Sequence, residues 1–292
     1  MEIRTLGKSG IKVSELGFGA GHIGGHNLSE LEVSNLLNSV VDLGINLFDT
    51  ARAYGLSEER LGKHLGHRRN EVIISTKVGY GINGVADWSF DSIRLGIEEA
   101  LVKLKTDYID IVHLHSCSLE VLKRGEVIDA LEHTVQSGKI RVAAYSGENE
   151  PLEVAASSGR FGSLQFSINP FDQRSIDKIL PLAKARNIGV IAKRPIANVP
   201  WRFNEQPFGE YCEEYWKRMD KMNLKFDLDW LETAIRFSAF TESVSSIIIG
   251  TSSLDHLKKN LLLMEKGKLP DEIYSMLRKL FSENDENWIG QV

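Results

Sequence analysis

From Ser14 onward the chain alternates short apolar runs with amphipathic helical segments, and this alternation restricts its fold more than any other feature. The predicted strands are residues 16–19, 45–48, 72–75, 108–114, 140–145, 164–168, 190–192 and 246–249. The first helix is bounded by a capping box at Ser29 to Glu32 and by Gly44. The remaining predicted helices are residues 58–65, 92–104, 127–136, 152–156, 176–185, 230–240, 254–264 and 271–281. Eight parallel strands of this kind close into a (β/α)8 TIM barrel, an α/β fold, and an open doubly wound sheet is the alternative.

Both ends of the chain add to this pattern. Ile3 and Leu6 precede a turn at residues 8–10, and Ile11 and Val13 resume the alternation of a half-buried strand, so the sequence predicts an N-terminal β-hairpin. The segments 254–264 and 271–281 predict extra helices at the C-terminus. A length of 292 residues suits one barrel, and no linker or low-complexity tract interrupts it. We therefore expect a single domain over residues 1–292.

Composition excludes several classes of partner. The net charge of −5 provides no basic surface for nucleic acid or for an anionic membrane. No apolar run reaches the ~18 residues of a membrane span, and the first ten residues contain no apolar signal-peptide segment. The two cysteines, Cys117 and Cys212, are too few for a disulfide framework. Cytoplasmic localisation is the resulting expectation.

Polar side chains follow the predicted strands where each strand ends. The run 45–55, INLFDTARAYG, stops at Asp49 and reaches Tyr54 five residues later. Other predicted strands end near Lys77, His115, Ser146 and Lys193. Barrel sites are built at the C-terminal ends of the strands, so these residues are expected at one shared mouth. The alternative for Asp49 is helix capping in an ordinary loop.

Gly19, Gly21 and Gly24 match the G-x-G-x-x-G pattern of dinucleotide-binding folds. That mechanism needs a helix to begin inside the glycines, so that its free amides meet the pyrophosphate. Here the capping signal comes later, at Ser29, and the next acid at a strand end, Asp49, lies too far along the chain. The sequence therefore favours a loop whose glycines, Gly21 among them, let a ligand approach.

His113 and His115 have the H-x-H spacing that places two rings on one face of a strand, as in metal-dependent hydrolases. A metal would need further His or carboxylate ligands from other strand ends. The later ends offer Ser146, Asn169 and Lys193 instead. We therefore predict no metal site, a functional His115, and a His113 that packs in the core or near the base of its strand.

Lys77 is open to three interpretations. It could form a Schiff base, as barrel aldolases do, or it could form a structural ion pair with Asp49. It could also act together with Tyr54, since an ammonium group stabilises a neighbouring phenolate and makes the phenol a stronger acid. His115 would then orient a carbonyl oxygen against Tyr54. These four residues would form a proton-donating group for a carbonyl substrate.

The stretches FDTARAYG, STKVG and DYIDIVHLH resemble three motifs of the aldo-keto reductases, and the similarity extends over nearly the whole chain. The resemblance implies a (β/α)8 barrel that binds NADP(H) without a Rossmann domain. It implies reversible hydride transfer between NAD(P)H and an aldehyde or ketone, equivalently oxidation of an alcohol. The family's catalytic residues fall on Asp49, Tyr54, Lys77 and His115, with Tyr54 as general acid.

The resemblance also implies a set of cofactor-binding residues. These are Gly21, Ser146, Gln165, Lys193, Arg194, Gly250, Thr251, Ser252, His256 and Asn260. Gln165 and Ser146 fall where the family holds the nicotinamide carboxamide, and Lys193 falls where many members stack a large side chain. The family's asparagine, lysine and arginine are replaced by Gly147, Gly250 and His256. NADP is therefore the expected cofactor, with NAD possible as the alternative.

An insertion at residues 198–224 is rich in aromatic residues: Trp201, Phe203, Phe208, Tyr211, Tyr215 and Trp216. It predicts either a packed layer or a lid over the site. A second function is also consistent with the sequence, namely a nicotinamide-binding sensor or regulatory barrel with little turnover. The sequence leaves open which carbonyl or alcohol is the substrate, the oligomeric state and the physiological direction.

Overall fold

The computed structural model describes residues 1–224 and 229–292. In this part of the chain, eight parallel strands form a closed barrel in the order β10-β3-β4-β5-β6-β7-β8-β9. The strands are β3 (Leu16–Gly19), β4 (Leu47–Asp49), β5 (Ile73–Val78), β6 (Ile109–His115), β7 (Ile140–Ser146), β8 (Ser163–Ser167), β9 (Gly189–Lys193) and β10 (Ser246–Gly250). β10 pairs with both β3 and β9. The predicted TIM barrel is confirmed, and the open sheet is excluded.

Helices surround the barrel. They are α1 (Glu30–Asp42), α2 (Ser57–Leu65), α3 (Phe90–Leu104), α4 (Leu119–Arg124), α5 (Glu126–Gln136), α6 (Asn149–Ser158), α7 (Arg174–Ala185), α8 (Glu213–Met222), α9 (Trp230–Phe240), α10 (Leu254–Met264) and α11 (Asp271–Asn284). α9 and α10 match the prediction at both ends. The capping box at the start of α1 is present, with Ser29 and Glu32 bonded to each other's backbone N–H groups. No helix in residues 1–224 or 229–292 has the length and apolar character needed to cross a membrane.

Some predicted boundaries were wrong. α3 begins at Phe90, two residues before the predicted start, because Ser89 accepts a hydrogen bond from the Ser92 backbone N–H and caps the helix. β5 runs on to Val78, so Lys77 lies within the strand and not beyond it. α4 and α8 were not predicted.

The N-terminal hairpin closes the base of the barrel. β1 (Ile3–Thr5) pairs antiparallel with β2 (Lys12–Ser14), as predicted. Leu6, Ile11 and Val13 are buried and pack against side chains inside the barrel, among them Leu47 and Ile111. The base of the barrel is therefore filled with apolar side chains, and the opposite end, where the strands terminate, is left open for a site.

The aromatic insertion contributes a packed layer, as one of its two interpretations predicted. Tyr215 and Met222 of α8 are buried in a cluster with Phe171, and Trp201 packs against that cluster. Trp201 stacks on Trp230 with ring centroids 6.0 Å apart. The insertion is therefore joined to the body of the protein through its own apolar core.

A buried carboxyl group beneath this layer should make stability depend on pH. Asp172 accepts a 3.2 Å hydrogen bond from the Tyr215 hydroxyl and lies 3.7 Å from Arg218. Burial, reinforced by Glu148, raises the pKa of Asp172 to about 7. In the unfolded chain an aspartate releases its proton near pH ~3.9. Between these values the folded state holds a proton that the unfolded state has lost, so this group reduces stability as pH rises from ~4 to 7.

We therefore expect the free energy of unfolding of the wild type to fall, relative to Asp172→Asn, as pH rises through this range. Urea unfolding of both proteins at a series of pH values measures the difference. Parallel pH profiles for the two proteins would show that Asp172 does not titrate in this way.

Candidate active site

The centre of the site is an ion pair between Asp49 at the end of β4 and Lys77 near the end of β5. Lys77 Nζ lies 2.5 Å from Asp49 Oδ2 and also donates a 2.8 Å hydrogen bond to the Thr50 carbonyl oxygen. Both side chains are buried, with Asp49 3% and Lys77 2% exposed. The structure thus brings together two of the predicted residues on neighbouring strands.

The ion pair keeps both groups charged in spite of their burial. Burial alone lowers the pKa of Lys77, but the Asp49 carboxylate outweighs it, so the pKa is raised overall. Burial alone raises the pKa of Asp49, but the Lys77 ammonium group outweighs it, so that pKa is lowered. At neutral pH the pair is therefore a carboxylate and an ammonium ion.

Asp49 is held by two further donors, both on Oδ1. Ser75 Oγ donates at 2.9 Å and Gln165 Nε2 at 2.8 Å. His113 Nε2 lies 3.0 Å from Ser75 Oγ, and burial lowers the pKa of His113 to about 3, so this ring is neutral. Because the Ser75 hydroxyl hydrogen is directed at Asp49, His113 Nε2 must carry the hydrogen and donate to Ser75. His113 is therefore a core histidine that supports Asp49 through Ser75.

Tyr54 is carried by the turn between β4 and α2, and that turn packs against the first glycine-rich loop. A Cβ atom on Gly24 would lie 1.8 Å from the Tyr54 carbonyl oxygen, so only glycine fits there. The Gly24 carbonyl oxygen accepts a 3.0 Å hydrogen bond from the Leu56 N–H. Gly24 therefore positions the tyrosine turn. Gly21 faces the Tyr54 ring, which lies 3.7 Å from the position of its missing Cβ.

Tyr54 and His115 meet above the ion pair. Lys77 Nζ lies 5.2 Å from the centroid of the Tyr54 ring, and the Tyr54 and His115 ring centroids are 6.2 Å apart in an edge-to-face arrangement. Tyr54 and His115 are partly exposed, whereas Asp49 and Lys77 are buried. The four predicted residues therefore converge, with the two rings accessible and the charged pair beneath them.

His115 has a partner that the sequence did not indicate. Its Nδ1 atom lies 3.0 Å from the Tyr80 hydroxyl oxygen. Burial, together with Lys77 and Lys193, lowers the pKa of His115 to about 4, so the ring is neutral at pH 7. Gly79 and Gly81, which flank Tyr80 and both have positive φ, were the available sign of an unusual loop.

Ser146, the last residue of β7, lies beside Gln165 of β8, because the strand register pairs the two residues. Ser146 Oγ donates a 2.9 Å hydrogen bond to Gln165 Oε1. Gln165 also donates to Asp49, so it is bonded directly to the ion pair, and Ser146 is linked to the pair through Gln165. Each keeps hydrogen-bonding capacity for a ligand, since a carboxamide has two N–H donors and two acceptor lone pairs.

Lys193 and Arg194, at the end of β9, are engaged in local contacts. Lys193 Nζ lies 3.2 Å from Glu148 Oε1, and burial lowers the pKa of Lys193 although Glu148 opposes the shift. The Arg194 guanidinium donates hydrogen bonds to the Gln291 carbonyl oxygen and the Tyr211 hydroxyl. The strand end therefore joins the C-terminal residues and the aromatic insertion to the barrel mouth.

The segment from Gly250 to Asn260 begins beside the first loop. The strand register pairs Gly250 with Gly19, and a Cβ atom on Gly250 would lie 2.9 Å from the His22 ring. Ser253 accepts a hydrogen bond from the His256 backbone N–H and caps α10. His256 and Ser252 are exposed, whereas Thr251 and Asn260 are buried. The contact between His22 and Gly250 was not foreseen, because these residues are far apart in the sequence.

In the described part of the chain, no group of three or more His, Cys, Asp or Glu side chains is arranged to hold a metal ion. The two histidines of the H-x-H motif have different contacts. His113 bonds Ser75 inside the barrel, and His115 bonds Tyr80 at the mouth.

The sequence model of the aldo/keto reductase family matches residues 15–281 of the chain. The chain belongs to the aldo/keto reductase family. It is 29% identical to YqkF, an uncharacterised oxidoreductase of Bacillus subtilis (strain 168), over 93% of this chain and 94% of that protein. It is 28% identical to L-galactose dehydrogenase of Arabidopsis thaliana, over 89% and 87% of the two chains. Among solved structures it is similar to the holo form of aldo-keto reductase AKR11C1 from Bacillus halodurans, with a TM-score of 0.82, 30% identity and 96% coverage of each chain.

Membership of the aldo/keto reductase family makes this chain an oxidoreductase of the carbonyl-reducing type. Its barrel brings a carboxylate, a phenol, an ammonium group and an imidazole close together at one end. Such a group can transfer a proton to a carbonyl oxygen and stabilise the anion that remains on the phenol.

Proposed function

We propose that this aldo/keto reductase catalyses reversible, NAD(P)H-dependent reduction of an aldehyde or ketone, with Tyr54 as the proton donor. The observation that carries the proposal is the position of Tyr54, which is accessible at the mouth while its ring lies 5.2 Å from a buried, charged Lys77. A phenol is a weak acid, and a neighbouring cation stabilises the phenolate left after proton transfer.

Each of the four residues has a distinct part in this mechanism. Tyr54 gives its proton to the carbonyl oxygen as that oxygen gains negative charge. Lys77 stabilises the phenolate, and Asp49 keeps Lys77 charged and in place. His115 is neutral at pH 7, so it acts as a hydrogen-bond donor that orients the carbonyl oxygen and not as a second acid. When bound, the nicotinamide supplies the hydride.

The residues around this group are suitable for a nicotinamide. Gly21 presents no side chain beside Tyr54, which leaves room for a flat ring. Ser146 and Gln165 provide donors and acceptors of the kind that a carboxamide needs. Lys193 is the last residue of β9, the next strand along the barrel, and Arg194 follows it; both are proposed to line the cofactor site.

Schiff-base chemistry on Lys77 has less support. An amine attacks a carbonyl only when it is unprotonated, and Asp49 raises the pKa of Lys77. The Lys77 ammonium group is also bonded to both Asp49 and the Thr50 carbonyl oxygen, so it is not free to reach a substrate.

A panel of aldehydes and ketones, followed by NADPH absorbance at steady state, tests the proposed function. We expect sustained, enzyme-dependent oxidation of NADPH with at least one carbonyl. A sensor would instead bind NADPH tightly and oxidise no more than the bound equivalent. The second result would replace the enzyme proposal with a regulatory one.

The cofactor preference gives a further prediction. A 2′-phosphate is normally held by Arg or Lys, but this chain has Gly250 and His256 at those positions. The exposed His256 lies in the first turn of α10, where the helix N-terminus also favours an anion. We expect NADPH to bind more tightly than NADH, because the 2′-phosphate can accept a hydrogen bond from His256 and lies at the N-terminus of α10.

Titrating both cofactors against the wild type, His256→Ala and His22→Ala checks this prediction. A hydrogen bond to a charged group contributes ~1.5 kcal/mol or more, so His256→Ala should weaken NADPH binding about tenfold and leave NADH binding unchanged. Tighter binding of NADH than of NADPH to the wild type would overturn the preference. A loss of NADPH affinity seen only in His22→Ala would transfer the role to His22, which lies against Gly250.

A further inference from the structure

Tyr80 lies in the segment between β5 and α3, three residues beyond Lys77, and this segment is built to hold it. The Trp88 backbone N–H donates a 2.7 Å hydrogen bond to the Gly79 carbonyl oxygen, which closes the loop. A Cβ atom on Gly79 would lie 2.0 Å from the Trp88 ring, so the ring packs directly on the glycine. Trp88 also contacts the Tyr80 ring edge-to-face, with centroids 5.6 Å apart.

Gly81, the residue after Tyr80, is also held in place. The Gly81 N–H donates a 2.9 Å hydrogen bond to Asp87, and its carbonyl oxygen accepts one of 2.6 Å from Arg52. Tyr80 is therefore held by its ring and by the backbone of its neighbours, while its hydroxyl reaches His115.

The protons in this contact can be assigned from the groups around it. In residues 1–224 and 229–292, His115 Nδ1 is the hydrogen-bond partner of the Tyr80 hydroxyl, and no second protein acceptor is available to that hydroxyl. His115 is neutral at pH 7 because of burial and of Lys77, so one of its nitrogens is bare. Burial raises the pKa of Tyr80, so it remains a phenol. The Tyr80 hydroxyl therefore donates its hydrogen to His115 Nδ1, which is the acceptor within reach. Nδ1 is then the nitrogen of His115 that carries no hydrogen.

We propose that Tyr80 is a positioning residue that donates its hydroxyl hydrogen to His115 Nδ1 and so fixes the proton of His115 on Nε2. The Nε2–H is then the donor that His115 offers to a carbonyl oxygen beside Tyr54. The consequence for catalysis rests on the proposed function, whereas the tautomer itself does not. The planes of the His115 and Tyr80 rings are nearly parallel, with 20° between them. This contact keeps the imidazole in the same orientation.

Nitrogen-15 NMR of histidine-labelled protein at pH 7 tests the tautomer without any turnover. His115→Gln identifies the His115 signals among those of the eight histidines. In the wild type we expect a proton on Nε2 and the chemical shift of a hydrogen-bonded, bare nitrogen at Nδ1. A proton on Nδ1 in the wild type would overturn the proposal, and this result needs no variant at Tyr80.

Tyr80→Phe removes the hydroxyl and keeps the ring that packs on Trp88. We expect its His115 spectrum to show a mixture of the two tautomers. Tyr108→Phe is the matched control and should leave the spectrum unchanged, because Tyr108 precedes β6, at the opposite end of that strand from His115. An unaltered tautomer in folded Tyr80→Phe would also overturn the proposal.

Kinetics then show whether Tyr80 acts through His115. With a carbonyl substrate, Tyr80→Phe should lower kcat/KM about five- to tenfold, the effect of losing one hydrogen bond, with cofactor affinity unchanged. In a His115→Gln protein, adding Tyr80→Phe should cause no further loss of kcat/KM, because the histidine through which Tyr80 acts is then absent. Equal losses in both backgrounds would show that Tyr80 acts independently. If no carbonyl is turned over, the proposed function fails while the NMR result still decides the tautomer.

Discussion

Replacing Tyr54 with phenylalanine is expected to reduce carbonyl turnover by ~10² to 10⁴, the usual effect of losing a general acid. The substitution keeps the ring beside Lys77 and His115 and removes only the hydroxyl that gives up the proton. Because Gly24 packs against the backbone of Tyr54 and not against its hydroxyl, the turn itself should keep its structure. The loss should therefore appear in kcat.

Cofactor binding is the internal control for this variant. NADPH affinity, measured by fluorescence titration, should change little, since no cofactor-binding residue is altered. Tyr108→Phe removes a phenol far from the mouth and should retain full activity. Near-normal turnover by Tyr54→Phe on a good substrate would show that another group protonates the carbonyl.

Lys77→Met should abolish activity, because it removes the charge that stabilises the Tyr54 phenolate. It also leaves Asp49 buried without its cation, and breaking a buried ion pair costs ~3–5 kcal/mol of stability. Loss of activity by this variant alone could therefore reflect unfolding. The double variant Asp49→Asn, Lys77→Met removes both charges together and should recover most of that stability without recovering activity. An active double variant would contradict the role given to Lys77.

Asp49→Asn removes the carboxylate that keeps Lys77 charged but leaves the lysine itself in place. It should therefore reduce activity less than Lys77→Met does. Burial alone lowers the pKa of Lys77, and Asp49 provides the strongest opposing influence. Without that carboxylate, Lys77 should lose its proton at a lower pH than in the wild type. Activity of the variant should consequently begin to decline at a lower pH than that of the wild type. Matching pH profiles would show that Asp49 does not control the charge of Lys77.

The sequence was sufficient to place the four proposed catalytic residues. The C-terminal ends of parallel strands meet at one end of a barrel, so Asp49, Lys77 and His115 had to converge once the strands were assigned. The packing of His113 was also foreseeable, because residues two apart on a strand share a face at different depths. The structure adds the hydrogen bond to Ser75 that explains why His113 is there.

Contacts between distant loops could not be predicted in the same way. Tyr80 reaches His115 through a loop whose shape depends on Trp88 and Gly79, and no periodicity encodes that shape. The approach of His22 to Gly250 depends on the closure of the barrel between β3 and β10. α8 was missed because no side chain caps its start, which follows Cys212.

Deuterium transfer tests the central claim most directly. NADPH carrying deuterium at the reactive position of the nicotinamide is incubated with a carbonyl found in the panel, and the alcohol is analysed by mass spectrometry. We predict one deuterium on the former carbonyl carbon for each cofactor oxidised, at a rate that falls by ~10² or more in Tyr54→Phe. Bound NADPH that transfers no deuterium to any carbonyl, or a borohydride-trapped adduct on Lys77, would contradict the account.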